Sequence, residues 1–411
     1  MTKQKDVDNR VDNFEKKAFG LFIHYGLYSL FGSGEWVWKL KYIPDETYRN
    51  MINSFTAENF DAEKIVLMAK RAGMKYITFC AKHHDGFALF DTKGTCNFDV
   101  MHSPCRRDLV GELSTMCKKH GMSLFLYHTT LDWYQPSFEN DFRGYLKFLR
   151  QSVELLCTNY GKIDGFWFDG NWSKPNEDWE EDLLYGTIRK YQPDAIIINN
   201  TGLSCQGKTG HGELDCVTFE RGKPFPRDNG QKKRIAGEVC QVINDHWGVA
   251  ERDINYKPIR QYIEELARCR ECGTNYLLNV SPRGDGSFGN LEKGILEKIG
   301  IWMNIYGEAI YRGRPVGICS DHEEDIVLQG DGCLYVLVGN VPMSADVNVA
   351  LGSFKKERRT LRGLGESVKR AVWMDNGSSI EYECAGDRFC FVPEPYEYGT
   401  SLFLRVAKIE F

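Results

Sequence analysis

The residues in this 411-residue sequence that could do chemistry together stand at the ends of apolar runs. The most conspicuous is Asp169, which closes the stretch "KIDGFWFDGNW" (162–172). An acid there costs free energy to bury unless it is paired or used. Side chains alternate along a strand, so Trp167 and Asp169 share one face and Phe166 and Phe168 the other. The phenylalanines can then pack on helices while Trp167 and Asp169 face a site, and Gly170 lets the chain turn without crowding what sits over the acid. An exposed Asp-Gly turn is the ordinary alternative. Glu220, closing "LDCVTFERG" (214–222), and Glu238, in "GEVCQ" (237–241), are rivals for a second carboxyl, though either could instead be salt-bridged to Arg221 or Lys223. Two acids flanking a bond, one attacking and one moving a proton, are the equipment of glycoside hydrolysis.

Histidines and aromatic rings surround these acids in the pattern. His24, His83 and His84 with Asp85, Tyr127 with His128, Asn199 with Asn200, and Asn279 all fall at run ends. "AKHHDGF" (81–87) invites a metal reading, but adjacent histidines on a strand point to opposite faces and rarely chelate alone. Neutral imidazoles can instead hydrogen-bond sugar hydroxyls. Trp36, Trp38, Trp133, Trp167 and Trp172 fall at or just after run ends, where a ring could stack on a sugar or simply fill the core.

Eight apolar runs would have to position these groups: 19–26, 75–84, 122–128, 164–170, 194–200, 214–220, 235–242 and 275–282. They lack clean alternation, as strands buried on both faces do. Between them, 61–72, 107–120, 141–160 and the segment from Pro258 carry helical stripes, three of them followed by glycine. The spacing predicts an α/β fold, a (β/α)8-like TIM barrel over residues 1–310, whose functional groups belong at the C-terminal strand ends. The connections 201–213 and 221–234 are Gly-rich and show no stripe, so the barrel is expected to lack one or two helices. Over 311–411 the helical period disappears. "DIVLQGDGCLYVLVGN", "VNVAL", "RAVWM", "EYECAGDRFCFV" and "TSLFLRV" read as short strands of a small antiparallel β-sandwich.

Composition sets outer bounds. Hydrophobic residues make up 42% and charged residues 27%, with net charge −5. Without long basic blocks there is no electrostatic footprint for nucleic acid. No window reaches the roughly 18 apolar residues of a membrane span. The charged opening lacks an apolar signal core, so a cytoplasmic setting is expected. The 14 cysteines are scattered, mostly in apolar runs, and read as small buried hydrophobes. Cys269 and Cys272 in "RCREC" have metal-ligand spacing without a second pair, which favours helix-end packing.

The segments "FGLFIHYGLYSLFGSGEWVWK", "KYITFCAKHHDGFALFDTK", "DLVGELSTMCKKHGMSLFLYHTTLDW", "DGFWFDG" and "YLLNVSPRGDGSF" stand in an order that resembles glycoside hydrolase family 29, the retaining α-L-fucosidases. The resemblance covers nearly all of residues 14–310. It implies that Asp169 is the nucleophile with Trp167 beside it, and that His24, His83 and His84 hold the fucose hydroxyls. It further implies that Tyr127, Glu35 and Trp36 line the same pocket. The acid/base is then Glu220, with Glu238 as the rival. No cofactor is implied, and the partner is a fucosylated oligosaccharide or glycoconjugate; a homo-oligomer stays open. One departure concerns the fifth run, where many relatives carry an arginine that reaches the sugar. This chain has "NNTGL" (199–203), leaving Arg221 as a substitute. Two other readings carry over: a retaining α-L-galactosidase on the same scaffold, because an apolar pocket rejects an added hydroxyl poorly, and a fucose-binding protein without catalysis.

Overall fold

The computed structural model describes residues 2–225, 233–350, 357–365 and 367–411. Eight strands form a closed parallel barrel in chain order. They are β1 (Phe19–Ile23), β2 (Tyr76–Lys82), β3 (Ser123–Thr129), β4 (Gly165–Asp169), β5 (Ile196–Asn200), β6 (Cys216–Glu220), β7 (Ala236–Val242) and β8 (Asn275–Asn279). Pairing of β1 with β8, Phe22 opposite Asn279, closes the ring. Each expected apolar run became one strand, and almost every residue in them is buried.

The helices form where the sequence supplies both a stripe and an end signal. Asp108 accepts the backbone N–H of Gly111 at 2.8 Å to start Leu109–His120, and Gly121 ends it in the left-handed conformation. Asp61 and Asp141 cap Ala62–Arg71 and Phe142–Asn159 in the same way. No helix occurs in 201–213 or in the described parts of 221–234. A helix the pattern did not reveal, Thr2–Glu15, sends Val11 and Phe14 into the barrel-interior cluster with Tyr76, Phe125 and Ile196. Its Arg10 grips the buried Asp215 carboxylate with two hydrogen bonds, at 2.8 and 3.1 Å.

Chain contacts define two compact units. The first comprises Met1–Pro224, Asp228–Lys257 and Asn275–Glu297 and contains the barrel strands. The second comprises Pro258–Thr274 and Lys298–Phe411 together with Phe225. It holds two four-stranded sheets, ordered β10-β11-β16-β13 and β14-β15-β12-β9. These are β9 (Cys319–Ser320), β10 (Ile326–Gly330), β11 (Cys333–Val338), β12 (Arg359–Arg362), β13 (Arg370–Trp373), β14 (Tyr382–Ala385), β15 (Arg388–Phe391) and β16 (Arg405–Glu410). Leu334, Val336, Trp373 and Ile409 of one sheet meet Leu361, Phe389 and Phe391 of the other in a common core. This is the expected antiparallel sandwich, with two local corrections. Val347–Ala350 is a turn, because the Asp346 carboxylate accepts the backbone N–H of Asn348 at 2.8 Å and bends the chain. The last strand begins only at Arg405, since Phe403 lies at φ 63° and cannot continue a ladder.

Candidate active site

Asp169 ends β4 at the barrel mouth and receives four donors. Its Oδ1 accepts the Trp172 indole N–H at 2.8 Å and the Asn200 amide N–H at 3.3 Å. Its Oδ2 accepts the Tyr127 hydroxyl at 3.1 Å, with His84 Nε2 at 3.4 Å. Burial alone would raise this carboxyl, but the bonds from His84, Trp172 and Tyr127 outweigh it and hold Asp169 below the usual carboxylate range. Phe168 packs toward Tyr185 on the helix Glu181–Tyr191, as the alternation predicts. Gly170 has a further reason: at φ 123°, an added Cβ would sit 2.5 Å from the Leu131 backbone nitrogen. The glycine lets the β3 loop pass close behind the acid.

Glu220 ends β6 and faces the same space. Its Oε1 accepts the Trp247 indole N–H at 3.2 Å, and its Oε2 accepts the Asn200 amide N–H at 2.7 Å. Asn200 Nδ2 therefore serves both acids. One nitrogen bonded to both acids keeps those two oxygens no farther apart than the sum of the two bonds. Burial, then the Asp169 charge, push Glu220 above the ordinary glutamate value.

Glu238 lies lower. It pairs in register with Thr218 of β6, whereas Glu220 pairs with Cys240. Fully buried, it accepts the Tyr76 hydroxyl at 2.6 Å and the Trp167 indole N–H at 2.9 Å. Burial pushes its carboxyl up to about 7. Trp167 is buried beside Phe22 and Tyr127, with Asp169 two residues further along the same strand.

The histidines converge. His24 Nδ1 bonds Asn279 Oδ1 at 2.7 Å, and its ring lies 4.4 Å from Phe22 and 5.1 Å from Trp247. Burial lowers it to about 3, so its imidazole is neutral. Burial likewise keeps His83 neutral; its ring stacks on Tyr127 at 5.5 Å, and its Nδ1 has no partner among the described residues. His84 Nδ1 bonds the Thr129 hydroxyl at 2.7 Å, which turns Nε2 toward Asp169. The expectation that His83 and His84 oppose each other is overturned: their rings lie 4.3 Å apart. The register of β2 shifts between Cys80 and Lys82, and the chain has left the strand before the pair, so strand alternation no longer applies. His128 does point away, bonding Ser152 at 2.8 Å.

Glu35 joins two loops. Its Oε2 accepts the Gly248 backbone N–H at 2.7 Å, and a Cβ on Gly248 would meet the Glu35 nitrogen at 2.7 Å. The contact anchors Trp247, in "NDHWG" (244–248), which lies outside the eight apolar runs and so carried no signal in the amino-acid order. Trp36, Trp133 and Trp172 ring His84 at 5.6–5.9 Å. Trp38 is core instead, stacked 4.4 Å from Tyr48. Arg221 donates to the Asp245 carbonyl and lies 5.7 Å over Trp247.

An ionised carboxylate and a second carboxyl with raised proton affinity, at the C-terminal face of a parallel barrel and ringed by neutral imidazoles and indoles, are the apparatus of a glycoside hydrolase. The chain belongs to the alpha-L-fucosidase family, whose family model matches residues 1–308. It is 29% identical to the tissue alpha-L-fucosidase of Rattus norvegicus over 367 residues, 82% of this chain and 78% of that one. Its fold matches alpha-L-fucosidase isoenzyme 1 from Paenibacillus thiaminolyticus with a TM-score of 0.84 at 28% identity, covering 98% and 99% of the two chains. A family 29 alpha-L-fucosidase from Bacteroides thetaiotaomicron, solved as a trapped covalent intermediate with 2-fluoro-fucosyl fluoride, shares the fold. The TM-score there is 0.81 at 24% identity, over 98% of this chain and 96% of that one.

Proposed function

We propose that this alpha-L-fucosidase family member releases terminal α-L-fucose from fucosylated glycans with retention, Asp169 acting as nucleophile and Glu220 as acid/base. The observation that carries the reading is that one nitrogen, Asn200 Nδ2, lies 3.3 Å from Asp169 Oδ1 and 2.7 Å from Glu220 Oε2, so those oxygens cannot be farther apart than the sum of the two distances. Double displacement needs about 5–5.5 Å, whereas an inverting enzyme needs about 6.5–9.5 Å to admit water between its acids. In the first step an Asp169 oxygen bonds the anomeric carbon as the glycosidic C–O bond breaks. The Glu220 proton passes to the departing oxygen. In the second step water attacks the same carbon, Glu220 takes its proton, and the Asp169 ester bond breaks. His24, His83 and His84, with Glu35 and Trp36, are assigned to the sugar. Neutral imidazoles, as His24 and His83 are, suit hydroxyls because each can donate or accept. Glu238 is not assigned the proton transfer, because both its oxygens are occupied beneath the mouth.

NMR of the first sugar formed from an aryl α-L-fucoside tests this. The α-anomer is expected first, and a 2-fluoro-fucosyl fluoride should label the peptide containing Asp169. Initial β-fucose would overturn the covalent route.

A further inference from the structure

We propose that Asn200 is the positioning residue that lets Glu220 alternate between acid and base, and that Thr218 anchors the Asn200 amide, whose orientation the Gly202 backbone N–H sets. The inference rests on the reading of Asp169 and Glu220 above.

Asn200 ends β5, between the strands that carry the two acids. Its side chain is buried, and its Nδ2 donates to Asp169 Oδ1 and to Glu220 Oε2. Its Oδ1 accepts the Thr218 hydroxyl at 2.8 Å and the Gly202 backbone N–H at 3.4 Å. A flipped amide would turn its oxygen toward two carboxyls. The Thr218 hydroxyl anchors the amide in either orientation, but the Gly202 N–H can only donate and selects the observed one.

The consequence is electrostatic. In the free enzyme the Asp169 anion faces Glu220 and favours its protonated form. Once Asp169 becomes a fucosyl ester that charge is gone. The Nδ2–H on Oε2 remains and stabilises the carboxylate that Glu220 became on giving up its proton. A cation in this position would keep Glu220 ionised throughout, and a third carboxylate would keep it protonated. A neutral amide permits both states. The other groups about Glu220 are Asp169, Arg221 beside it, the Trp247 indole on its Oε1, and Cys240 as its register partner on β7; Glu238 lies one layer below.

The test compares pH profiles and pre-steady-state kinetics of Asn200→Ala, Thr218→Val and Thr218→Ser on aryl α-L-fucosides. Loss of the donor should move the basic limb of kcat/KM upward by about one pH unit. It should also slow deglycosylation about tenfold, so that a burst of phenol appears. Thr218→Val should do the same to a smaller degree, and Thr218→Ser should return the limb toward the parent. A uniform loss across pH, with neither shift nor burst in Asn200→Ala and in Thr218→Val, would overturn the proposal. Glu220→Gln in parallel separates this from its premise: if the basic limb survives that substitution, the assignment of Glu220 has failed.

Discussion

Glu238 accepts the indole N–H of Trp167 at 2.9 Å inside the barrel, one layer beneath the mouth where Asp169 ends the same strand as that tryptophan. A buried acid therefore supports the site from below without meeting what binds above it. Its titration should be visible in stability.

The carboxyl of Glu238 titrates at about 7 when folded, against an ordinary 4.5. Between those values the unfolded chain has released the proton and the folded chain retains it. Stability is thus fully present below about 4.5 and falls as pH rises through 7, by about 3 kcal/mol from this group. Glu238→Gln keeps the shape without the charge. Its melting temperature, followed by calorimetry from pH 4.5 to 8, should decline less steeply than the parent's. An unchanged slope would mean that Glu238 is ionised in the fold.

Glu220→Ala should lose far more activity on a natural fucosyl disaccharide than on a fucosyl fluoride or dinitrophenyl fucoside, which can depart unaided. The missing base should make the fucosyl-enzyme accumulate. Azide needs no deprotonation, so it should restore turnover and yield α-fucosyl azide, detectable by NMR. Glu238→Gln should show neither the leaving-group dependence nor the rescue. The reverse result would exchange the two roles.

The donors on Asp169 predict the acid limb of the pH profile. His84→Ala removes one donor from Oδ2 and Trp172→Phe removes one from Oδ1. Either loss weakens the hold on the ionised form, so the carboxyl rises and activity fails at a higher pH on the acid side. His84→Ala should also lower kcat/KM about 10²-fold by leaving a sugar hydroxyl unpaired in a buried site. An acid limb that stays put in both variants would show that these bonds do not govern Asp169.

Gly170→Ala should destabilise the protein by roughly 2–4 kcal/mol, because the new Cβ meets the Leu131 backbone at a positive φ. Gly248→Ala displaces the loop that Glu35 holds, and Trp247 with it. The second variant should therefore raise KM more than it lowers the melting temperature. Equal melting temperatures for Gly170→Ala and the parent would contradict the close approach.

All eight barrel strands could be found in the amino-acid order, because a strand buried on both faces needs a continuous apolar run and this chain has eight. Asp169 was legible for the same reason: an acid closing such a run has no packing role. The helix Thr2–Glu15 escaped because its few apolar residues stand among charges, and only the barrel bottom gives Val11 and Phe14 a place to bury. "VNVAL" misled because alternation is a local signal and the Asp346 turn overrides it.

The choice between Glu220 and Glu238 lay beyond the sequence. Both stand in apolar strands beside similar neighbours, and their heights differ by a register step that only strand pairing fixes. The convergence of His83 and His84 depended on a shift in β2 that no spacing announces. Asn200 stood at a run end, but its bond to Glu220, and that of Trp247, formed only when the barrel closed and brought β5 and the β7 loop beside that acid. Residue order settles what each strand must bury and which acids have no reason to be there. Which donors meet which acids is settled by pairing between segments distant in sequence, because a hydrogen bond reaches about 3 Å and only the closed barrel sets those distances.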